Sequence, residues 1–317
     1  MGTRHEKYQR LIDACRPLPP TPTAVVHPCD ESSLRGAMEA AELGLIAPIL
    51  VGPRARIEEV ARAHGIDISG VPLEEAAHSH ESAERAVALV REGRAEALMK
   101  GSLHTDEVMA AVVRRDTGLR TARRISHCFV MDVPGHDSAL IITDAAINIA
   151  PGLAEKVDII QNAIDLAHAL QPAPDSPQDV RVAILSAMET VNPDVPSTIE
   201  AAALCKMADR GQITGAILDG PLALDNAIDL DSARIKKIDS PVAGRANVLV
   251  TPDLEAGNML AKSLTFLADA DAAGIVLGAR VPIILTSRAD SVMARLASCA
   301  VATLVARVRR QDGKVAS

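Results

Sequence analysis

The sequence predicts an α/β protein with mostly parallel sheets. Short apolar runs, typical of buried strands, alternate with helical patterns of ten or more residues along most of the chain. This alternation indicates βαβ units, because a parallel strand pair needs a crossover between its members. The length of 317 residues favours about two domains. A hydrophobic fraction of 48% supplies ample material for their cores.

The first part of the chain predicts a charged, amphipathic helix within residues 1–16 and a Pro-rich joint over 16–23. Strands and helices then alternate, each helix beginning soon after a strand ends. The predicted strands are 24–27, 46–52 and 97–100, and the predicted helices are 30–43, 54–64 and 79–92.

The character of the sequence changes over residues 123–148. Two β-like segments flank Pro-Gly-His-Asp at 134–137, which predicts a hairpin. The alternation then resumes. The predicted helices are 153–170, 197–209, one that begins near 259 and one over 292–310, and the predicted strands are 180–186, 215–219, 247–251 and 281–287.

Composition argues against nucleic-acid binding. The net charge is −8, and Tyr8, Phe129 and Phe266 are the only aromatic residues, whereas such proteins usually present basic surfaces and stacking rings. An acidic protein with an anionic substrate needs a local cluster of Arg and Lys.

The cysteines predict a reducing compartment. There are five, an odd number, without a CxxC pair, and no apolar run approaches the ~20 residues of a membrane helix. With no visible signal peptide, these features favour a cytoplasmic protein without a membrane partner. The cysteines are expected to be packing residues.

Polar side chains follow the predicted strand 247–251. Asp253, Asn258 and Lys262 lie where this strand gives way to a helix, and ligands of open α/β sheets bind at such edges. Arg245 precedes the strand, at its opposite end unless the chain folds back. A capped loop with a solvated Lys explains the same pattern without a ligand.

A second polar cluster follows the predicted strand 281–287. Asp290 or Ser291 is a suitable N-cap for the next helix, but a cap does not explain Ser287 and Arg288 at the strand exit. A hydroxyl, a guanidinium and free helix N–H groups together predict an anion site, with phosphate or a phosphorylated substrate as occupant.

Several long segments resemble one enzyme family. SPVAGRANVLVTPDLEAGNMLAK (240–262) and LTSRADS (285–291) resemble the phosphate acetyl/butyryl transferases. The segments 99–109, 117–127, 142–148 and 189–228 are similar to the butyryltransferase branch. The resemblance runs from about residue 48 to residue 300, and several motifs in the right order are far more specific than one short pattern.

This resemblance implies two α/β domains with an active-site cleft between them, as in isocitrate and isopropylmalate dehydrogenases. The first domain would comprise residues 1–134 and 280–317, and the second residues 135–279. The implied reaction transfers an acyl group between CoA and inorganic phosphate in a ternary complex, without a metal or other cofactor. A homodimer is the expected assembly, and the butyryl-type segments favour an acyl group longer than acetyl.

The resemblance also implies residue roles. Arg288 would bind the transferring phosphate, and Ser287 would orient the acyl carbonyl or a phosphate oxygen. The acetyltransferase pattern has an Asp at the position of Ala294, so Asp290 is the substitute candidate for the general base. The predicted substrate-binding residues are Lys100, His104, Asn148, Arg245, Asp253, Asn258 and Lys262.

Two alternatives stay open at this point. A decarboxylating dehydrogenase of the same architecture needs an Asp cluster for a divalent metal and a nicotinamide site, and neither is evident in the sequence. A non-catalytic module that senses acyl-CoA would tolerate the missing carboxylate at Ala294.

Overall fold

The computed structural model describes residues 6–171, 179–286 and 290–311. The strands are β1 (Thr21–Val26), β2 (Ile46–Gly52), β3 (Leu73–Glu75), β4 (Ala97–Lys100), β5 (Ser126–Asp132), β6 (Leu140–Thr143), β7 (Arg181–Leu185), β8 (Ile217–Leu222), β9 (Val248–Val250), β10 (Asp271–Leu277) and β11 (Ile283–Ile284). The helices are α1 (Glu6–Cys15), α2 (Glu31–Glu42), α3 (Arg54–His64), α4 (Ser79–Arg91), α5 (Thr105–Val112), α6 (Leu153–Ala169), α7 (Pro196–Asp209), α8 (Leu224–Ile228), α9 (Leu230–Ile235), α10 (Leu254–Leu267) and α11 (Val292–Gln311). The fold is therefore mixed α/β with mostly parallel strand pairing. None of the helices within the described ranges is both long and apolar enough to span a bilayer.

The chain divides into two compact units. The middle unit comprises Met1–Lys7 and Arg124–Ala272, and the terminal unit comprises Tyr8–Arg123 and Ala273–Ser317. The boundaries predicted from the sequence, after residues 134 and 279, lie further along the chain than these crossings.

Lys7 shows why the start of the chain groups with the middle unit. Its ammonium donates to Asp132 Oδ1 at 2.7 Å and to the Val133 carbonyl at 2.8 Å. Both side chains of the pair are nearly buried, so this ion pair is screened less by water than an exposed one.

The terminal unit contains a sheet in the order β3-β2-β1-β4-β11-β10. Its pairs are parallel except β10 with β11. The strand order reverses between β1 and β4, which is the kind of switch point where α/β sheets bind ligands at their carboxyl edge. Val26 pairs with Lys100, and Met99 pairs with Ile284, so the chain leaves all three central strands at this one edge.

The middle unit contains the strands β5-β6-β9-β7-β8 in that order. The predicted hairpin is confirmed, since β5 pairs antiparallel with β6, and the other pairs are parallel. Thr143 and Ile184 both align with Val250, which places the residues after β6, β7 and β9 at one carboxyl edge. The core below that edge is built on Leu140, Ile142 and Leu249.

Three predicted elements need correction. Helix α10 begins at Leu254 instead of near 259, because Asp253 caps it by accepting from Ala256 N at 2.8 Å. In the described part of the predicted strand 281–287, which ends at residue 286, the strand pairs over Ile283–Ile284. The predicted strand 215–219 is displaced to Ile217–Leu222, where it pairs with β7.

Candidate active site

Lys100 and His104 lie at the carboxyl edge of the terminal unit. Lys100 ends β4, and its ammonium donates to the carbonyls of Gly101 and Leu103 at 3.1 and 3.2 Å. His104 is exposed at the start of α5, where its backbone N–H donates to Glu107 Oε2 at 2.8 Å. His104 is therefore the N-cap of α5, and Thr105 is its first helical residue.

The loops that leave β1 and β4 touch closely. A Cβ atom on Gly101 would lie 2.3 Å from the Val26 carbonyl oxygen, so only glycine fits there. Ser102 Oγ donates to the His27 carbonyl at 2.8 Å. These loops border a cavity of about 540 Å³ at the switch point. Its lining includes His27, Arg56, Ser79, Ser102, His104 and Glu107.

His27 was not predicted from the sequence as a site residue; it is buried in this cavity wall with a left-handed φ of 56°. Ser82 Oγ donates its proton to the His78 carbonyl at 2.9 Å, so it accepts from His27 Nδ1 at 3.0 Å. That bond leaves Nε2 as the acceptor nitrogen. Burial, reinforced by the charge of Arg56, lowers the pKa of His27, which favours the neutral ring.

The predicted catalytic pair Ser287 and Arg288 lies outside the described residues. The following segment is described: Ser291 Oγ accepts from Ala294 N at 3.1 Å, which identifies Ser291 as the N-cap of α11. Asp290 is half-buried just before it, and its carbonyl accepts from Arg295 Nη1 at 2.7 Å. Asp290 is therefore not the N-cap of α11.

Asn148 lies at the carboxyl edge of the middle unit, in the loop after β6. It is 4% exposed. Asp144 Oδ1 accepts from the N–H groups of Ala146 and Ile147, and Asp144 Oδ2 accepts from Asn148 N and Nδ2. A carboxylate with four donors is fully satisfied, so the loop between β6 and α6 is rigidly built.

The loop after β9 packs against this first loop. Asn258 Nδ2 donates to the Ala145 carbonyl at 3.1 Å, and Asp253 is occupied as the cap of α10. Lys262 lies one turn beyond Asn258 and is exposed. Arg245 lies before β9, at the amino edge of the strand, so the structure does not bring it to the carboxyl edge.

A further polar cluster lies at this edge. Lys236 Nζ donates to Glu189 Oε1 at 2.7 Å, and it lies 3.3 Å from Asp225 Oδ2. Buried Asn226 also donates to Glu189. The bond from Lys236 lowers the pKa of the Glu189 carboxyl, since it stabilises the ionised form. Only the contacts between β7, α8 and α9 reveal this cluster.

The cysteines are protonated packing residues. Burial raises the pKa of Cys128 and Cys299 to about 12 and that of Cys29 to about 11. The thiolate is the nucleophilic form, so these thiols are poor candidates for covalent catalysis. Within residues 6–171, 179–286 and 290–311, no group of three or more His, Cys, Asp or Glu side chains is arranged to hold a metal ion.

Comparison with known proteins identifies the family of this chain. Residues 79–303 match the sequence profile of the family described as phosphate acetyl/butaryl transferase. A Rhizobium meliloti protein named phosphate acetyltransferase is 65% identical over 98% of this chain and 96% of its own length. A phosphate butyryltransferase from Clostridium beijerinckii is 39% identical over 95% of this chain and 98% of its own. The crystal structure of a branched-chain phosphotransacylase from Enterococcus faecalis V583 has a TM-score of 0.76 at 27% identity, and the match covers 90% of this chain and 98% of that one.

Proposed function

The chain belongs to the phosphate acetyl/butyryl transferase family, and from this we propose that it transfers a short acyl group reversibly between CoA and inorganic phosphate. The observation that carries the proposal is the 65% identity to a phosphate acetyltransferase along nearly the whole chain. The chain is accordingly an acyltransferase. Direct attack of one substrate on the other in a ternary complex is the mechanism that we propose.

The chemistry sets the demands on the residues. Phosphate is an anion, and its attack on a thioester builds further negative charge on the carbonyl oxygen, so the site must supply cations and hydrogen-bond donors. Arg288 is proposed to grip the phosphate with its planar fork. Ser287 is proposed to orient the acyl carbonyl or a phosphate oxygen.

The substrate-binding proposals differ in their support. His104 is exposed at the carboxyl edge of its unit and Lys262 is exposed on α10, which supports contacts with substrate phosphates or the acyl group. Lys100 ends β4 at the same edge as His104, with its ammonium on the Gly101 and Leu103 carbonyls. Asp253 and Asn258 shape the loop at α10 and have structural partners already. Arg245 has the least support, because it lies at the amino edge of β9.

We propose acetyl as the preferred acyl group. The butyryl-type segments favoured a longer chain, but the relative named as an acetyltransferase is 65% identical, against 39% for the butyryltransferase. The likeness of the two-unit fold to isocitrate and isopropylmalate dehydrogenases stays a prediction.

A panel of acyl-CoA substrates tests the function. We expect acetyl-CoA to release free CoA thiol only when phosphate is added, and to do so faster than propionyl-CoA or butyryl-CoA. Faster release from butyryl-CoA would keep the reaction and reverse the chain-length proposal. Absence of phosphate-dependent release from every acyl-CoA would favour a sensing module instead.

The proposed mechanism needs neither metal nor cysteine. We expect EDTA to leave turnover unchanged and NAD to be unnecessary, and either requirement would favour a dehydrogenase of similar fold. Because burial keeps the thiols protonated, we expect mass spectrometry to find no acylated cysteine during turnover. A cysteine-bound acyl group that transfers competently to phosphate would replace direct attack.

Asp290 is proposed as the base that removes the CoA thiol proton in the acylating direction. Asp290→Asn should slow CoA acylation by acetyl phosphate on the order of 100-fold at neutral pH. The defect should shrink as pH rises, because CoA then ionises unaided. Stability should change little, since Ser291 is the helix cap. An equal defect at every pH, with a lower melting temperature, would leave Asp290 only a structural role.

The substitution Ala294→Asp would place a carboxylate where the acetyltransferase pattern has one, but it is expected to destabilise the protein. Ala294 is 3% exposed on the buried side of α11, and a charge buried there without a partner is unfavourable.

Cytoplasmic location and homodimer assembly are also proposed. All five cysteines lie in the described ranges and are free thiols, which suits a reducing compartment. Helix α10 buries only Gly257 and Ala261 and leaves Met259, Phe266 and Leu267 exposed by 63%, 78% and 86%. An apolar helix face of this kind fits a subunit contact, which analytical ultracentrifugation measures.

A further inference from the structure

Arg124 is an exposed arginine whose backbone is fixed on both sides. Its N–H donates to Asp158 Oδ2 at 2.8 Å, and its carbonyl accepts from Asn162 Nδ2 at 2.9 Å. The same Asn162 amide donates to Ser126 Oγ at 2.8 Å. Helix α6 therefore holds residue 124 at the entrance to β5.

The side chain of Arg124 is fixed as well. Its Nε donates to Asn148 Oδ1 at 2.8 Å. Asn148 Nδ2 donates to the Ile125 carbonyl at 2.9 Å and to Asp144 Oδ2 at 2.6 Å. These two acceptors determine the orientation of the amide, because the flipped amide would set its oxygen against two other oxygens. Asn148 must therefore present its oxygen to Arg124.

The far end of the guanidinium has no partner among the residues that the structure describes. Among residues 6–171, 179–286 and 290–311, no hydrogen bond or ion pair engages Arg124 Nη1 or Nη2. Two other arginines, Arg85 and Arg94, end on the carboxylate of Glu74 instead. Immobilising a long side chain costs conformational entropy, so a fixed guanidinium with free N–H groups has the properties of a preorganised anion receptor.

The location agrees with this role. Strand β5 runs antiparallel to β6, with Cys128 opposite Thr143. The start of β5 therefore lies at the carboxyl edge of the middle unit, next to the loop that carries Asp144. Asn258 contacts that same loop.

We propose that Arg124 binds a phosphoryl group of one of the two substrates through Nη1 and Nη2, and that Asp144 and Asn148 are its positioning residues. This inference rests on the proposed function. The phosphoryl group belongs either to inorganic or acyl phosphate or to the 3′-phosphate of CoA, since the fork suits both. Asn148 then acts through Arg124 instead of contacting substrate.

The test measures binding and turnover of purified full-length variants. Phosphate, CoA and dephospho-CoA are titrated by calorimetry, and KM is measured for each substrate. Arg124→Gln should weaken one of these ligands at least about tenfold. Weaker binding of phosphate would show that Arg124 binds inorganic or acyl phosphate. Weaker CoA binding with unchanged dephospho-CoA binding assigns the 3′-phosphate. Arg210→Gln removes an exposed arginine at the end of α7 and should leave the affinities for phosphate, CoA and dephospho-CoA unchanged.

Asn148→Ala separates positioning from mere structure. It should weaken the same ligand as Arg124→Gln, and the double variant should be no weaker than Arg124→Gln alone, because Asn148 acts only through the arginine. If the losses of affinity in the two single variants add up in the double variant, Asn148 acts independently of Arg124 and is not its positioning residue. Arg124→Lys keeps the charge but lacks the planar fork of the guanidinium. If Arg124→Gln does not fold, the ligand affinities of Arg124→Lys test the proposal instead.

Equal affinities of wild type, Arg124→Gln and Arg124→Lys for all three ligands would overturn the inference. Failure of the proposed function is a separate result. In that case the wild type would bind CoA or phosphate without phosphate-dependent thiol release, and the loss of binding in Arg124→Gln would still be measurable.

Discussion

Arg288→Ala should lower kcat/KM at least ~100-fold, roughly 2.7 kcal/mol of lost transition-state stabilisation. The proposed role of Arg288 is to hold phosphate while negative charge develops on the acyl carbonyl. The described residues that follow Arg288 in the sequence are held at the start of α11, because Ser291 caps the helix and Arg295 donates to the Asp290 carbonyl. Initial rates over a range of phosphate and acetyl-CoA concentrations measure the effect.

Arg288→Lys should recover only part of the loss, because an ammonium lacks the bidentate fork. Circular dichroism should show both variants folded. An Arg288→Ala enzyme with wild-type kcat/KM would remove Arg288 from the mechanism.

Gly257→Ala should damage both stability and turnover. A Cβ atom at this position would lie 2.5 Å from the Asp144 carbonyl oxygen and 2.7 Å from Thr251 Oγ1. The first turn of α10 and the Asp144 loop would have to separate, which costs roughly 1–3 kcal/mol. The same shift disturbs the loop that contains Asn148, and a displacement of about 1 Å in a site can cost on the order of 100-fold in rate.

Helix propensity alone predicts the opposite sign, since Ala is favoured over Gly inside a helix by about 1 kcal/mol. Thermal melting therefore distinguishes the two effects. Ser263→Ala, on the exposed side of the same helix, should leave the melting temperature and the rate close to wild type. A more stable, fully active Gly257→Ala protein would show that the close contact is unimportant.

The sequence predicted the elements that have a strong local pattern. Helix α3 has its predicted bounds, and α6 ends one residue early, because each carries many turns of one amphipathic period. Helices α8 and α9 were not predicted, since five and six residues are too few to display that period. Within the described residues 281–286 of the predicted strand 281–287, β11 covers only Ile283–Ile284, because apolar residues indicate burial and not pairing.

The candidate site was predictable only in part. Lys100 and Asn148 were predicted because each follows a strand, and Lys262 because it lies in the helical segment after one. Arg124 stood out only as one of a basic run with Arg120 and Arg123 that could meet the CoA phosphates, and His27 did not stand out at all. Their partners Asn148 and Ser82 are 24 and 55 positions away. No local spacing encodes such pairs, and a run of arginines looks the same whether it is solvated or held in place.

The position of β11 in the terminal unit affects how a nascent chain can fold. β11 lies between β4 and β10, and the buried helix α11 follows it. During synthesis, β1 to β4 emerge first, yet β4 keeps an unpaired edge until these last segments are made. Domains usually fold in the order in which they leave the ribosome. Here the middle unit, whose last residue is Ala272, has its complete sequence first, while the exposed β4 edge is the segment most open to mispairing or chaperone capture.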